Sequence, residues 1–193
     1  MRSGDVDILL VPGFGNSGPD HWQSRWERNL RTARRVEQAS WESPDEAVWS
    51  SAIRAAVTGA ARPVVLVGHS LGVAAIAHAA SRLPEGQVAG AFLVGPADTD
   101  AIAGWPLPDG LPSWPASVLT FAPMPMQRLP FPARVIASSN DVFCSIERAE
   151  AITTAWGGEL SVIANAGHIN AESGHGPWPD GLMTFGVFLK SLG

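Results

Sequence analysis

Apolar residues along this chain come in short unbroken runs, and between the runs they recur at helical spacing. The runs are 6–11 (VDILLV), 64–67 (VVLV), 88–94 (VAGAFLV), 133–138 (ARVIAS) and 159–164 (ELSVIA), with a weaker one at 35–39 (RVEQA). Runs this brief and this rich in branched aliphatic residues predict strands buried on both faces, as in a parallel sheet. Between them, residues 20–33 set Trp22, Trp26 and Leu30 at i, i+4 and i+8, one apolar helix face with Ser17 or Asp20 as its cap. Ser43-Pro44-Asp45 opens a second helix that runs through Trp49, Ile53 and Val57 and stops near Gly59. The alanine-rich stretch 73–83 favours a third helix, 145–156 a fourth that ends at Gly157-Gly158, and 182–192 a closing one. Strands alternating with helices predict an α/β fold: a doubly wound, mostly parallel sheet of about six strands with helices on both faces.

One segment breaks the alternation. Residues 95–132 carry nine prolines, a density through which no regular helix runs, together with Trp105, Trp114, Phe121, Met124 and Met126. Linkers do not hold so many large apolar groups, so an irregular cover over the sheet edge and pocket is expected, too short for a separate lid domain. The chain of 193 residues fits one domain, 1–193, with enough length for a full core.

Composition removes several function classes. At 46% hydrophobic and 16% charged residues the chain reads as globular, and a net charge of −5 leaves no electrostatic footprint for nucleic acid. The basic cluster Arg25, Arg28, Arg31, Arg34 and Arg35 alternates with Glu27 and Glu37 on a predicted helix and is expected to be a solvated face. A single cysteine, Cys144, leaves no internal disulfide and no cysteine-based metal site. No apolar signal region opens the sequence and no run reaches the length of a membrane span, so a cytoplasmic protein without membrane contact is expected.

The candidate chemistry follows the second strong strand. Gly68-His69-Ser70-Leu71-Gly72 lies between a predicted strand and a predicted helix, the setting in which Gly-x-Ser-x-Gly becomes a nucleophile elbow. A serine at the tip of so sharp a turn sits in strained backbone, and glycines two residues away remove the side chains that would collide. The turn also aims the Leu71 amide, at a helix N-terminus, where an oxyanion would form. Pro12-Gly13-Phe14-Gly15 ends the first strand without the Gly-Lys-Ser/Thr of a phosphate loop. It fits better as the other half of an oxyanion hole, with the Phe14 amide as donor and Gly15 close behind.

A serine hydroxyl needs a base, and the base needs a third group to orient it. Beyond the carboxyl ends of three strands stand Ser70, Asp141 and His168, in the chain order of α/β-hydrolases. His69 is locked in the elbow, His78 lies in the following helix, His21 precedes the serine, and His175 is farther from its strand than His168. Asp98 and Asp100 rival Asp141, which is favoured because it leaves the strand next to that of the histidine. Candidate pocket residues are His21, Trp22 and Phe143, with Trp22 read mainly as core.

The motifs PGFGNSGPDHWQSRWE, GHSLG, SSNDVFCS and GHINAESGHGPWPDG, in this order, resemble the small, lidless α/β-hydrolases of the YdeN-like family, the group that includes retinoblastoma-binding protein nine. The resemblance runs nearly the whole chain. It implies a serine hydrolase with Ser70 as nucleophile, Asp141 as orienting acid and His168 as base. The family's usual proline and aromatic residue after the aspartate are Val142 and Phe143 here, which leaves the acid in place and reshapes the pocket wall. The expected activity is hydrolysis of small acyl esters through an acyl-enzyme, without metal or organic cofactor and with a small-molecule acyl substrate as partner. Amide or peptide cleavage by the same residues is the alternative. A non-catalytic protein-binding scaffold is the rival from another class; against it, Phe143-Cys144-Ser145-Ile146-Glu147 lacks the leucine and spacing of L-x-C-x-E.

Overall fold

A computed structural model describes all 193 residues. Its centre is a single all-parallel sheet of six strands, β1 (Asp7–Val11), β2 (Ala33–Arg35), β3 (Val64–Ser70), β4 (Val88–Pro96), β5 (Ala133–Ser138) and β6 (Glu159–Ile163), in the order β2-β1-β3-β4-β5-β6. The four inner strands β1, β3, β4 and β5 are largely apolar because successive side chains enter two different cores. Leu9, Val11, Leu66, Leu93 and Val135 point into the larger one, whereas Ile8, Leu10, Val67, Phe92 and Ile136 point into the smaller. Helices α2 (Glu46–Thr58), α3 (Leu71–Ala79) and α4 (Ile146–Trp156) cover the first; α1 (Trp22–Asn29) and α5 (Pro179–Ser191) cover the second.

The cover at 95–132 is irregular, as its prolines require, yet it contributes to the core. It holds two 3-10 segments, Thr99–Gly104 and Ala116–Phe121, and buries Ile102, Trp105, Val118, Phe121, Met124, Leu129 and Phe131 against the larger cluster. No helix is long and apolar enough to cross a membrane.

Four local expectations are corrected. The edge strand is Ala33–Arg35, not 35–39, because α1 ends at Asn29 and the chain must turn at once to pair Ile8 with Ala33 and Leu10 with Arg35. The cap of α1 is His21, whose ring nitrogen Nδ1 accepts from the Gln23 amide at 3.1 Å; the Ser17 hydroxyl instead donates to Gln23 Oε1 at 2.7 Å. The five arginines do not share a helix face. Arg25 and Arg28 lie on α1, Arg34 and Arg35 on β2, and the Arg35 guanidinium is largely buried, bonded to Asn16, Ser17, Ser24 and Glu27. A helix α5 that starts at Pro179, three residues earlier than expected, follows from proline's fitness for the first helical position.

Ile53, on α2, is fully buried in the larger core. Ile53→Ala is expected to cost about 2–5 kcal/mol through lost transfer energy and the cavity left behind. Calorimetry should therefore show a melting temperature lower by roughly 5–15 °C.

Candidate active site

In the strand order the chain moves outward from β1 to β2 and then resumes on the other side of β1 with β3. The crevice at such a switch point, beyond the carboxyl ends, is where open α/β sheets bind ligands. The loop after β1 and Ser70 at the end of β3 stand on its two sides. Ser70 has φ 56° and ψ −127°, a left-handed strained conformation that a non-glycine residue holds only when its surroundings force it. The forcing is steric. A Cβ on Gly72 would lie 2.2 Å from the Val11 carbonyl oxygen, and one on Gly13 would lie 2.7 Å from the Ser70 Cβ. The start of α3 and the end of β1 are thus in backbone contact, and only glycine permits it.

The Ser70 hydroxyl lies 2.8 Å from His168 Nε2. His168 Nδ1 lies 2.9 and 3.0 Å from the two carboxylate oxygens of Asp141, and Asp141 Oδ1 also accepts from the Phe143 amide at 3.0 Å. The Asp141 side chain is 3% exposed and that of His168 11%, so the bonds are shielded from competing water while the imidazole remains accessible at one edge. The structure therefore brings Ser70, Asp141 and His168 together in one hydrogen-bonded chain. The rival acids are engaged elsewhere: Asp98 and Asp100 both bind Arg148.

The segment carrying His168 follows β6 and is irregular, so its position depends on what grips it. The amides of Asn165, Ala166 and Gly167 donate to Ser139 Oγ, Ser138 Oγ and Asn140 Oδ1 at 2.7–3.0 Å, all three acceptors at the end of β5. His69 Nε2 is 2.9 Å from the His168 carbonyl oxygen, and the Trp22 indole donates to the Ile169 carbonyl at 3.0 Å. The sequence offered no sign of this grip, since Ser138 reads as the last residue of a strand, Ser139 and Asn140 as its continuation towards Asp141, and His69 as an elbow residue.

Two of the candidate pocket residues are displaced from that role. Trp22 is fully buried, and His21 is buried behind His69, with ring centroids 4.8 Å apart. They support the floor of the site; the reason is that α1 packs its tryptophan face on the sheet and carries His21 inward with it. Phe143 does reach the site, its ring centroid 4.4 Å from that of His168. Of the loop amides after β1, that of Gly15 donates to the Trp41 carbonyl at 3.0 Å, whereas Phe14 makes no such bond.

Both buried histidines are neutral. Burial, with Arg35 and His168 nearby, pushes His21 down to about 4. Burial, with His21 and His168 adding to it, holds His69 well below its ordinary value despite its bond to the His168 carbonyl, so His69 donates from Nε2–H as a neutral ring. Burial pushes the Cys144 thiol up to about 12, with Asp98 and Asp141 adding to it, which leaves no thiolate nucleophile near the site.

The chain matches a family model described as serine hydrolase over residues 8–187. Among solved structures it is similar to a YdeN-like hydrolase of Pectobacterium atrosepticum at 34% identity and a TM-score of 0.84, over 98% of this chain and 94% of that one. The ydeN gene product of Bacillus subtilis (17% identity, TM-score 0.71, 97% and 98% covered) and an esterase of a Rhodococcus species (17%, 0.69, 100% and 93%) share the fold. No curated protein matches the chain.

His21 and His69 titrate lower in the folded state than their ordinary 6.5. As the pH falls below about 6.5 the unfolded chain takes up protons that the folded one refuses, so their stabilisation is whole above 6.5 and is lost towards pH 4, by up to about 1.4 kcal/mol per pH unit for each histidine. Urea denaturation at pH 7, 6 and 5 should record that decline. In His21→Gln the slope should be shallower by one histidine's share; an unchanged slope contradicts the assignment.

Proposed function

This chain belongs to the serine hydrolase family, among its YdeN-like members, and is a hydrolase; from that premise we propose that it cleaves small acyl esters through an acyl-enzyme on Ser70. The observation that carries the reading is the 2.8 Å approach of His168 Nε2 to the Ser70 hydroxyl, with His168 Nδ1 held 2.9 Å from the Asp141 carboxylate. A carboxylate at Nδ1 fixes the tautomer that leaves Nε2 free to accept the serine proton, and it stabilises the imidazolium that forms.

In this reading Ser70 Oγ attacks the ester carbonyl carbon as its proton passes to His168 Nε2. The Leu71 and Phe14 amides donate to the developing oxyanion, and the Phe14 amide makes no competing backbone bond. Collapse of the tetrahedral adduct releases the alcohol, which takes the proton from His168, and water then repeats the sequence on the acyl-enzyme. The strain held at Ser70, about 1–3 kcal/mol, is borne by the packed backbone of β1 and α3 and keeps the hydroxyl presented without further ordering on binding. The site lies under an irregular cover and not under a lid domain, which favours short or end-on acyl groups over long lipid chains.

The test begins with a fluorophosphonate probe and mass spectrometry of the adduct. Labelling should fall on Ser70 alone and vanish in Ser70→Ala and His168→Ala. On a p-nitrophenyl acetate assay kcat should drop by about 10^4-fold or more in those variants, and by about 10^4-fold in Asp141→Asn, which preserves shape but reverses the tautomer preference. Matched anilides should be cleaved far more slowly than esters; faster anilide cleavage would make the chain an amidase with the same residues. A folded protein that takes no label would overturn the reading.

A further inference from the structure

Four aromatic rings form a continuous arc that begins at one side of the Ser70 site and ends at the other. Phe14, on the loop whose Gly13 abuts Ser70, meets Trp114 edge-on at 4.9 Å. Trp114 meets Trp105 at 5.5 Å, and Trp105 meets Phe143 at 5.7 Å, again edge-on. Phe143 closes the arc against the ring of His168 at 4.4 Å. Two of these rings, Trp105 and Trp114, come from the proline-rich cover, and no periodicity in the sequence links them to the residues at either end.

A cluster of buried aromatics is by default core packing; here Trp105 belongs to the larger core, Phe14, Trp114 and Phe143 are partly exposed and pack against it, and one feature sets the two tryptophans of the arc apart. The tryptophans that lie wholly inside the protein have partners for their indole N–H: Trp22 donates to the Ile169 carbonyl, Trp49 to Ser40 and Trp156 to Pro125. The indole N–H groups of Trp105 and Trp114 are buried and have none. A buried tryptophan usually finds an acceptor, because leaving the bond unmade is costly. These two exceptions are adjacent and both lie in the arc. The arc offers what an aromatic ligand prefers, since edge-to-face ring contacts gain affinity beyond that of area burial.

We propose that Phe14, Trp114, Trp105 and Phe143 line the acyl subsite of the Ser70 centre and select acyl groups that carry an aromatic ring. The inference rests on the esterase reading for the position of the carbonyl: the Phe14 amide flanks the carbonyl oxygen, which places the Phe14 and Trp114 rings beside the acyl carbon. Phenylacetyl and cyclohexylacetyl groups have the same length and nearly the same bulk, so the comparison between them isolates aromaticity.

Two rate ratios test it in the intact protein: kcat/KM for the p-nitrophenyl esters of phenylacetic and cyclohexylacetic acid, and the rate of Ser70 modification by benzyl and cyclohexylmethyl phosphonofluoridates. Both should favour the aromatic member by about five- to tenfold, and both ratios should fall towards one in Trp114→Leu, a half-buried position where folding can be verified by thermal melting. A parallel series with Trp114→Phe should retain the preference. Ratios near one in the wild type, or a Trp114→Leu variant that slows both members equally, would overturn the inference while the esterase reading stood. Aromatic preference in the phosphonate rates with neither ester cleaved would do the reverse: the subsite would hold and the esterase reading would fall.

Discussion

The end of β1 and the start of α3 touch backbone to backbone, and most of the molecule's geometry follows from that contact. A side chain at Gly72 would lie 2.2 Å from the Val11 carbonyl oxygen, inside any permitted separation. With Gly13 and Gly72 in place, β3 can run beside β1 as far as Gly68, turn through Ser70 at φ 56°, and enter a helix directly. The same closeness sets the Phe14 loop over the serine, on the far side of the sheet's switch point. Strain at Ser70 is therefore a consequence of how two strands and a helix pack and does not depend on any bound molecule.

The second organising feature is a row of imidazoles that meet edge-on and tilted. His21, His69 and His168 follow one another with ring centroids 4.8 and 4.9 Å apart, from the cap of α1 to the mouth of the site. Three protonated rings at that spacing would repel strongly in a medium of low polarity, so the inner two are held neutral by burial. Neutral His69 then serves as a hydrogen-bond donor to the backbone of the very loop that carries His168. Together with the hydroxyls and amide at the end of β5, it fixes an irregular segment to a rigid strand end. Sites held in this way are more exact than loops alone provide.

Much of the fold was legible because burial on both faces leaves an unmistakable signature: apolar runs too short for helices, separated by amphipathic stretches. Ser70, Asp141 and His168 could also be singled out, since each directly follows a strand and strand ends of a parallel sheet converge. The misreadings share one cause. Arg35 looked like a solvated helix residue, and Ser17 and Asp20 looked like caps, because local preference speaks only of neighbours in sequence. Arg35 in fact ties the loop after β1 to α1, and His21 took the cap because its ring is trapped there by His69 and the sheet. The edge strand was misplaced by two residues for a similar reason: three residues with no apolar pattern pair with β1 only because the chain passes there.

What the sequence determined by itself is the set of strong local elements, the order of the strands' chemistry along the chain, and the glycines without which the turn at Ser70 could not exist. These depend on the period of apolar residues and on steric limits within a few positions. Only the tertiary structure decided which polar groups meet across long separations: Ser138, Ser139 and Asn140 gripping residues 165–167, His69 beneath His168, Phe14 and Phe143 joined through Trp114 and Trp105. Such contacts span 26 to 99 residues in the hydrogen bonds alone. They are set by how sheet, helices and cover close around a common volume, a condition on the whole chain that no local window of sequence contains.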